Sequence, residues 1–232
     1  MIKIVFLDID NTLLSFSEYL KESMRTGFSA FGLKPYTEEM FPVVEEINHG
    51  LWKQIEQGLL TYEELLEIRW NKIFSQLGID FDGRVFETYF KEQLFYSAIP
   101  EEGALELLEY LSGKYVLCAA SNGPFEQQLN RLRKGNMYDY FSYFFISSKI
   151  GAQKPGRDFF DQSFRELRGS GFPKLIPEET MIIGDSVSSD ISGGKDYGMH
   201  TCLYQKVPDP ETDVSKADHV VRSLTEIRNI LN

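Results

Sequence analysis

The stretch IKIVFLDIDNT, Ile2 to Thr12, constrains the fold more than any other in the chain. Ile4, Val5, Phe6 and Leu7 form an unbroken apolar run of branched and aromatic residues. Such a run suits a strand covered on both faces, as in a parallel sheet. It stops abruptly at Asp8-Ile9-Asp10-Asn11-Thr12. Side chains alternate along a strand, so Asp8 and Asp10 project the same way while Ile9 turns back to the core. Two carboxylates held that close repel each other unless a cation lies between them or one keeps a proton. Taken alone, the pattern also fits a strand that ends in solvated acids, and the later segments decide against that reading.

After Leu14 the periodicity changes. Residues 15–96 carry helical patterns and little strand signal. Phe28, Phe31 and Leu33 close a first helix near Gly32, before Pro35. Pro42 delays or kinks the next, which continues through Asn48 to Gln57. Thr61-Tyr62-Glu63-Glu64 is a capping box, followed by Leu65, Leu66, Ile68, Ile73, Phe74 and Leu77 at mostly helical spacing. From Pro100 onward strands and helices alternate. The strands are expected at Tyr115–Ala120, Phe144–Ile146, Thr180–Ile183 and, last, His200–Tyr204. The helices are expected at Leu105–Leu111, from Pro124 at the first turn to Lys134, at Phe159–Leu167, and from the Ser223-Leu224-Thr225-Glu226 cap through Leu231. Asp209 to Asp218 reads as a surface loop. This alternation predicts an α/β fold, a doubly wound parallel sheet, with the helical block inserted after the first strand. The domain division is then 1–15 with 97–232 for the sheet and 16–96 for the helical insert.

The chain has 232 residues, 42% of them hydrophobic, enough for one sizeable core with a smaller insert. Its formal net charge of -11 argues against nucleic acid and anionic membranes as partners. An anionic substrate would need a metal ion, a lysine or backbone N–H groups to overcome that field. Cys118 and Cys202 each sit in an apolar strand, in no metal-type spacing, and read as buried thiols of a reducing, cytoplasmic protein. The start of the chain does not fit a secretion signal, and no apolar run is long enough to span a membrane.

Polar residues follow three of the apolar strands directly: Asp8 and Asp10 the first, Ser121 and Asn122 the second, and Asp185 and Asp190 a third. In open α/β sheets, sites form at the carboxyl ends of strands, so these side chains can meet in one crevice. Lys154, with Pro155 behind it, reaches the same edge from the loop after the Phe144 strand. Several carboxylates with no histidine suit Mg²⁺, a hard ion that prefers oxygen. Lys154 and Ser121 suit phosphoryl oxygens. An aspartate beside the metal can attack phosphorus, and a second can give a proton to the leaving oxygen and later take one from water.

These residues resemble, in order, the four motifs of the haloacid dehalogenase-like hydrolase superfamily: Asp8-Ile9-Asp10-Asn11-Thr12, Ser121-Asn122, Lys154-Pro155, and Gly184-Asp185 with Asp190. The resemblance spans essentially the whole chain and implies a Rossmann-like core with a helical cap. It implies Asp8 as nucleophile and Asp10 as acid/base, with Ser121, Asn122 and Lys154 on the phosphoryl group. It further implies Mg²⁺ on Asp8, the Asp10 carbonyl and Asp185, with Thr12 in a supporting place and Asp190 supporting the metal or Lys154. Within the superfamily, Asn48, Leu51, Trp52, Gly58 and Thr61, with Asp190-Ile191, Gly193-Gly194 and Thr201-Cys202, resemble the YjjG-type pyrimidine nucleotidases. That implies pyrimidine nucleoside monophosphates as substrates, non-standard ones included, with Asn48 and Trp52 as candidate base contacts on a cap that closes as a lid. Where that family usually has tryptophan after Thr201-Cys202, this chain has Leu203.

Plainer roles compete for several residues. Trp52 equally suits cap packing. Arg69 suits a solvated or salt-bridged position better than the site, and Gly193 with Gly194 suit close helix packing. His49, His200 and His219 form no ligand spacing. Among functions, a sugar phosphatase or phosphomutase shares the same four motifs. A dehalogenase is disfavoured by Asp10, which phosphate-ester cleavage needs and carbon–halogen cleavage does not. A phospho-receiver signalling module gathers similar groups, but in about half the length and without an insert. The expected partner is a small phosphomonoester, for a monomer or homodimer.

Overall fold

A computed structural model describes residues 1–210 and 212–231. The chain divides into two compact units, Met1–Ser15 with Ala98–Asn232, and Phe16–Ser97.

The first unit is built on six parallel strands: β1 (Ile4–Leu7), β2 (Val116–Ser121), β3 (Tyr143–Ile146), β4 (Thr180–Gly184), β5 (His200–Tyr204) and β6 (His219–Val221). Their spatial order is β3-β2-β1-β4-β5-β6. In register, Phe6 lies beside Cys118 on one side and Ile182 on the other. The apolar run of β1 is continuous because both of its faces are covered. Val5 and Leu7 pack with Leu107, Leu108 and Leu132, while Ile4 and Phe6 pack with Phe159, Phe160 and Phe164. The ring of Phe6 stacks on Phe145 at 5.4 Å and Phe164 at 6.0 Å. Each such side chain, fully buried, contributes about 2–3 kcal/mol of transfer free energy. The chain winds from β1 outward to β2 and β3, then returns to start β4 on the other flank of β1. That reversal opens a crevice between β1 and β4 at their carboxyl ends, the switch point of a doubly wound sheet.

The strands foreseen in the sequence are present, and the polar residues noted there lie at the carboxyl ends of three of them, β1, β2 and β4. The strand β6 was not foreseen. It has three residues, two of them exposed, which is too short for an alternating run to register. Pro124 is not the first helical residue, as expected from sequence, but sits just before it with extended dihedrals (φ -70, ψ 135). The helix that follows runs from Phe125 to Lys134.

The second unit is four helices: α1 (Phe16–Ala30), α2 (Met40–Glu56), α3 (Tyr62–Leu77) and α4 (Gly83–Tyr96). Pro42 falls in the first turn of α2, where its missing N–H costs nothing. Thr61 and Glu64 form the reciprocal capping box expected at the start of α3. Trp70 is fully buried against Phe86, ring centres 4.3 Å apart, with Phe74 and Phe90 completing the cluster. Arg69 is also buried. It forms an ion pair with Glu87, donates to Asn48 Oδ1 at 3.1 Å, and lies over the Phe90 ring.

Candidate active site

Further helices complete the first unit. They are α5 (Ala104–Ser112), α6 (Phe125–Lys134), α7 (Ser147–Ile150), α8 (Arg157–Gly169), α9 (Ser192–Tyr197) and α10 (Ile227–Ile230). Asp8 follows β1 directly, and its backbone N–H donates to the Ile183 carbonyl at 2.9 Å, continuing the ladder towards β4. Beyond Asp10 the chain reverses. Asn11 adopts φ +55, a left-handed conformation that asparagine tolerates, and its N–H bonds the Leu14 carbonyl at 2.8 Å. This tight turn presents Asp8 and Asp10 while Ile9 stays fully buried.

Lys154 is the pivot of the crevice and is 1% exposed. Its ammonium donates to Asp8 Oδ1 at 2.8 Å, Asp190 Oδ1 at 2.6 Å and the Ala120 carbonyl at 2.7 Å. Three acceptors use its three protons, so its direction is fixed. Burial works against its charge, but Asp190 and Asp8 outweigh that and hold its pKa above the usual lysine range. Asn122 anchors the same residue. Its amide donates to the Lys154 carbonyl at 2.8 Å and accepts from the Lys154 N–H at 2.9 Å. The sequence-based expectation put Asn122 on the phosphoryl group, whereas these two bonds spend both ends of its amide on the Lys154 backbone.

Asp190 arrives through a wide, π-helical turn, Val187–Ile191, after β4. Its carboxylate lies against Gly184, where a Cβ would stand 2.1 Å from Asp190 Oδ2. Only glycine at 184 admits it. Gly193 and Gly194 likewise permit close packing, against Phe160 and Ile182 respectively.

Carboxylate oxygens of Asp8, Asp185 and Asp190 lie within 4.8 Å of one another. Burial, opposed by Lys154 and assisted by Asp190, pushes the Asp8 carboxyl up to about 7. Asp185 is raised well above the carboxylate range by burial, then by Asp8 and Asp190. Acids so strained by one another, offering only oxygen, fit a hard divalent cation of the Mg²⁺ kind. Thr12 is fully buried nearby in the chain, with its hydroxyl unpartnered among the described residues.

Two residues of this crevice were missed in the sequence, Gln128 and Arg131 on α6. Arg131 Nη1 donates to Asp10 Oδ1 at 2.5 Å, and Gln128 Nε2 donates to Asp10 Oδ2 at 2.7 Å. The available signal was their spacing of three on the helix that leaves Ser121, which puts both on one face at the sheet edge. Asn48 and Trp52 belong to the helical unit. Asn48 is buried on Arg69, and Trp52 is half-buried, 6.1 Å from the Tyr62 ring.

A family model of haloacid dehalogenase-like hydrolases matches residues 2–198. The HAD-hydrolase YfnB of Bacillus subtilis is 29% identical over 98% of this chain and 94% of its own. Its crystal structure, bound to magnesium, superposes with a TM-score of 0.88 over 100% of this chain and 99% of that one. The pyrimidine 5'-nucleotidase PynA of Streptococcus pneumoniae is 32% identical over 87% of this chain and 83% of its own. The pyrimidine 5'-nucleotidase YjjG of Escherichia coli is 26% identical over 98% and 96%.

Proposed function

The chain belongs to the haloacid dehalogenase-like hydrolases, and on that premise we propose that it is a Mg²⁺-dependent phosphomonoesterase acting through an aspartyl phosphate on Asp8. One observation carries the reading. Lys154 clamps one oxygen of Asp8, with Asp185 and Asp190 close beside it and Asp10 two residues on. Asp8 Oδ2 is then the oxygen that attacks phosphorus. The bond from phosphorus to the ester oxygen breaks, and Asp10 gives that oxygen its proton as the alcohol leaves. Asp10 next takes a proton from water, whose oxygen attacks the phosphoryl group. Phosphate departs and the Asp8 carboxylate is restored. Ser121 holds a phosphoryl oxygen throughout, Lys154 keeps Asp8 in place with its charge close to the transferring group, and Asn122 keeps Lys154 in place. Mg²⁺ on Asp8, Asp185 and the Asp10 carbonyl would neutralise charge among the acids and the substrate oxygens.

For the substrate we propose pyrimidine nucleoside monophosphates. The support is likeness to PynA and YjjG over most of each chain. Trp52, half-buried, is the candidate to stack on a base, while Asn48 acts first on Arg69. Cytoplasmic residence fits the two buried free cysteines. A screen with Mg²⁺ across nucleoside monophosphates and sugar phosphates tests the substrate. Higher kcat/KM for dUMP or dTMP than for dAMP or glucose 6-phosphate is expected, and preference for a sugar phosphate would overturn the nucleotidase assignment.

A further inference from the structure

We propose that Gln128 and Arg131 are a positioning pair that aims the Asp10 carboxylate and sets the Ser121 hydroxyl as a donor. This rests on the phosphomonoesterase reading above. Both side chains are buried, Gln128 fully and Arg131 to 1% exposure, in a helix whose remaining polar residues mostly face water. A buried guanidinium is costly unless paired, and here Arg131 Nη1 is shared between Asp10 Oδ1 at 2.5 Å and Gln128 Oε1 at 2.9 Å. The Gln128 amide has one permitted orientation. Arginine only donates, so it must face Oε1, and a carboxylate only accepts, so it must face Nε2.

From that orientation Nε2 donates to Asp10 Oδ2 and to Ser121 Oγ, both at 2.7 Å. Ser121 Oγ also accepts from the Gly123 N–H at 3.1 Å. With both its lone pairs engaged, Ser121 has only its proton left to offer, the polarity a phosphoryl oxygen requires. Asp10 is held at both oxygens, yet its side chain remains 33% exposed, and each oxygen keeps a second lone pair for the exchanged proton. Gly123 makes the arrangement possible: a Cβ there would stand 2.7 Å from Gln128 Nε2.

The two residues therefore act on different parts of the reaction. Arg131 bonds Asp10 directly, which matters where a poor leaving group needs a proton, and bears on Ser121 only at second hand, by way of a Gln128 amide whose orientation Asp10 also fixes. Gln128 reaches the chemistry through Asp10 and also through Ser121, which touches the phosphoryl group of every substrate. The experiment measures kcat/KM, which reports steps up to phosphoenzyme formation, for p-nitrophenyl phosphate and for a simple alkyl phosphate with Mg²⁺. Arg131→Met should lose about 10²-fold with the alkyl ester and less than about tenfold with the nitrophenyl ester. Arg131→Lys should recover part of that loss, since its ammonium can still donate to Asp10. Gln128→Leu should lose about tenfold or more with both esters, through Ser121. Melting temperatures of the three variants show that they are folded. If the wild type hydrolyses neither ester, the phosphomonoesterase reading falls. If the wild type is active and folded Arg131 variants lose both esters equally, or neither, the positioning pair is refuted.

Discussion

Replacing Lys154 by methionine keeps the apolar stem and deletes the ammonium that joins Asp8, Asp190 and the Ala120 carbonyl. Two carboxylates are then left without their shared cation in a site where Lys154 itself was 1% exposed. Breaking a buried pair by removing one partner costs about 3–5 kcal/mol. Protonation caps that loss. Neutralising a carboxyl with a reference pKa near 4 costs roughly 5 kcal/mol at about pH 8, but only about 2 kcal/mol at about pH 5.5. Asp8, already raised to about 7, takes up its proton readily below that value. The metal-free variant should therefore lose about 3–5 kcal/mol at about pH 8 and no more than about 2 kcal/mol at about pH 5.5. At 2–4 °C per kcal/mol, that is a Tm drop of roughly 6–20 °C at the higher pH and roughly 4–8 °C or less at the lower. Circular-dichroism melts in a chelating buffer at both pH values measure it. A variant that melts with the wild type at both, or that suffers more in acid, would refute the role of Lys154 as the counter-charge of these acids.

Other consequences are simpler to state. Asp8→Asn keeps the shape but removes the attacking oxygen's charge, and kcat should fall at least about 10³-fold; near-normal turnover would contradict the nucleophile assignment. Because the folded-state pKa of Asp8 is raised to about 7, folding takes up a proton between about pH 4 and 7, and the stability this contributes is fully present below the unfolded value near 4 and lost as pH rises through 7. Mg²⁺ must displace that proton, so its affinity, measured by calorimetry, should rise with pH up to about 7 and then level off, and Mg²⁺ should raise Tm. A pH-independent affinity across that range would count against Asp8 as a ligand. Trp52→Ala should erode the preference for dUMP over dAMP while sparing p-nitrophenyl phosphate; equal losses on all substrates would make Trp52 a packing residue of the helical unit.

The sequence made the strand-end acids legible because their signal is local. Each lies directly after a short apolar run, and strand alternation alone puts Asp8 and Asp10 on one side. Lys154 was legible as a loop residue at the same edge, but not its triple engagement, since its acceptors lie 146, 34 and 36 residues away. The segment FEQQLNRLRK reads as an amphipathic helix whose Gln128 and Arg131 belong to the polar face. Only the position of Asp10 and Ser121 above that face turns two ordinary solvated side chains into buried, fully used ones. Asn48 illustrates the reverse. It is chemically able to read a base edge, yet Arg69, 21 residues on, already takes its Oδ1, and Arg69 in turn is held by Glu87. Pairings of this kind are set by tertiary packing, and helical periodicity does not encode them.

The central claim is that a covalent phosphoryl group passes through Asp8. The most direct test is acid quenching of the Asp10→Asn variant, in which hydrolysis of the intermediate is slowed, after brief incubation with p-nitrophenyl phosphate and Mg²⁺, followed by peptide mass mapping. The predicted result is one phosphoryl group on the peptide that carries Asp8, absent when Asp8 is also replaced by asparagine. Turnover with no protein-bound phosphoryl group at any quench time, or a group that maps to another residue, would contradict the account.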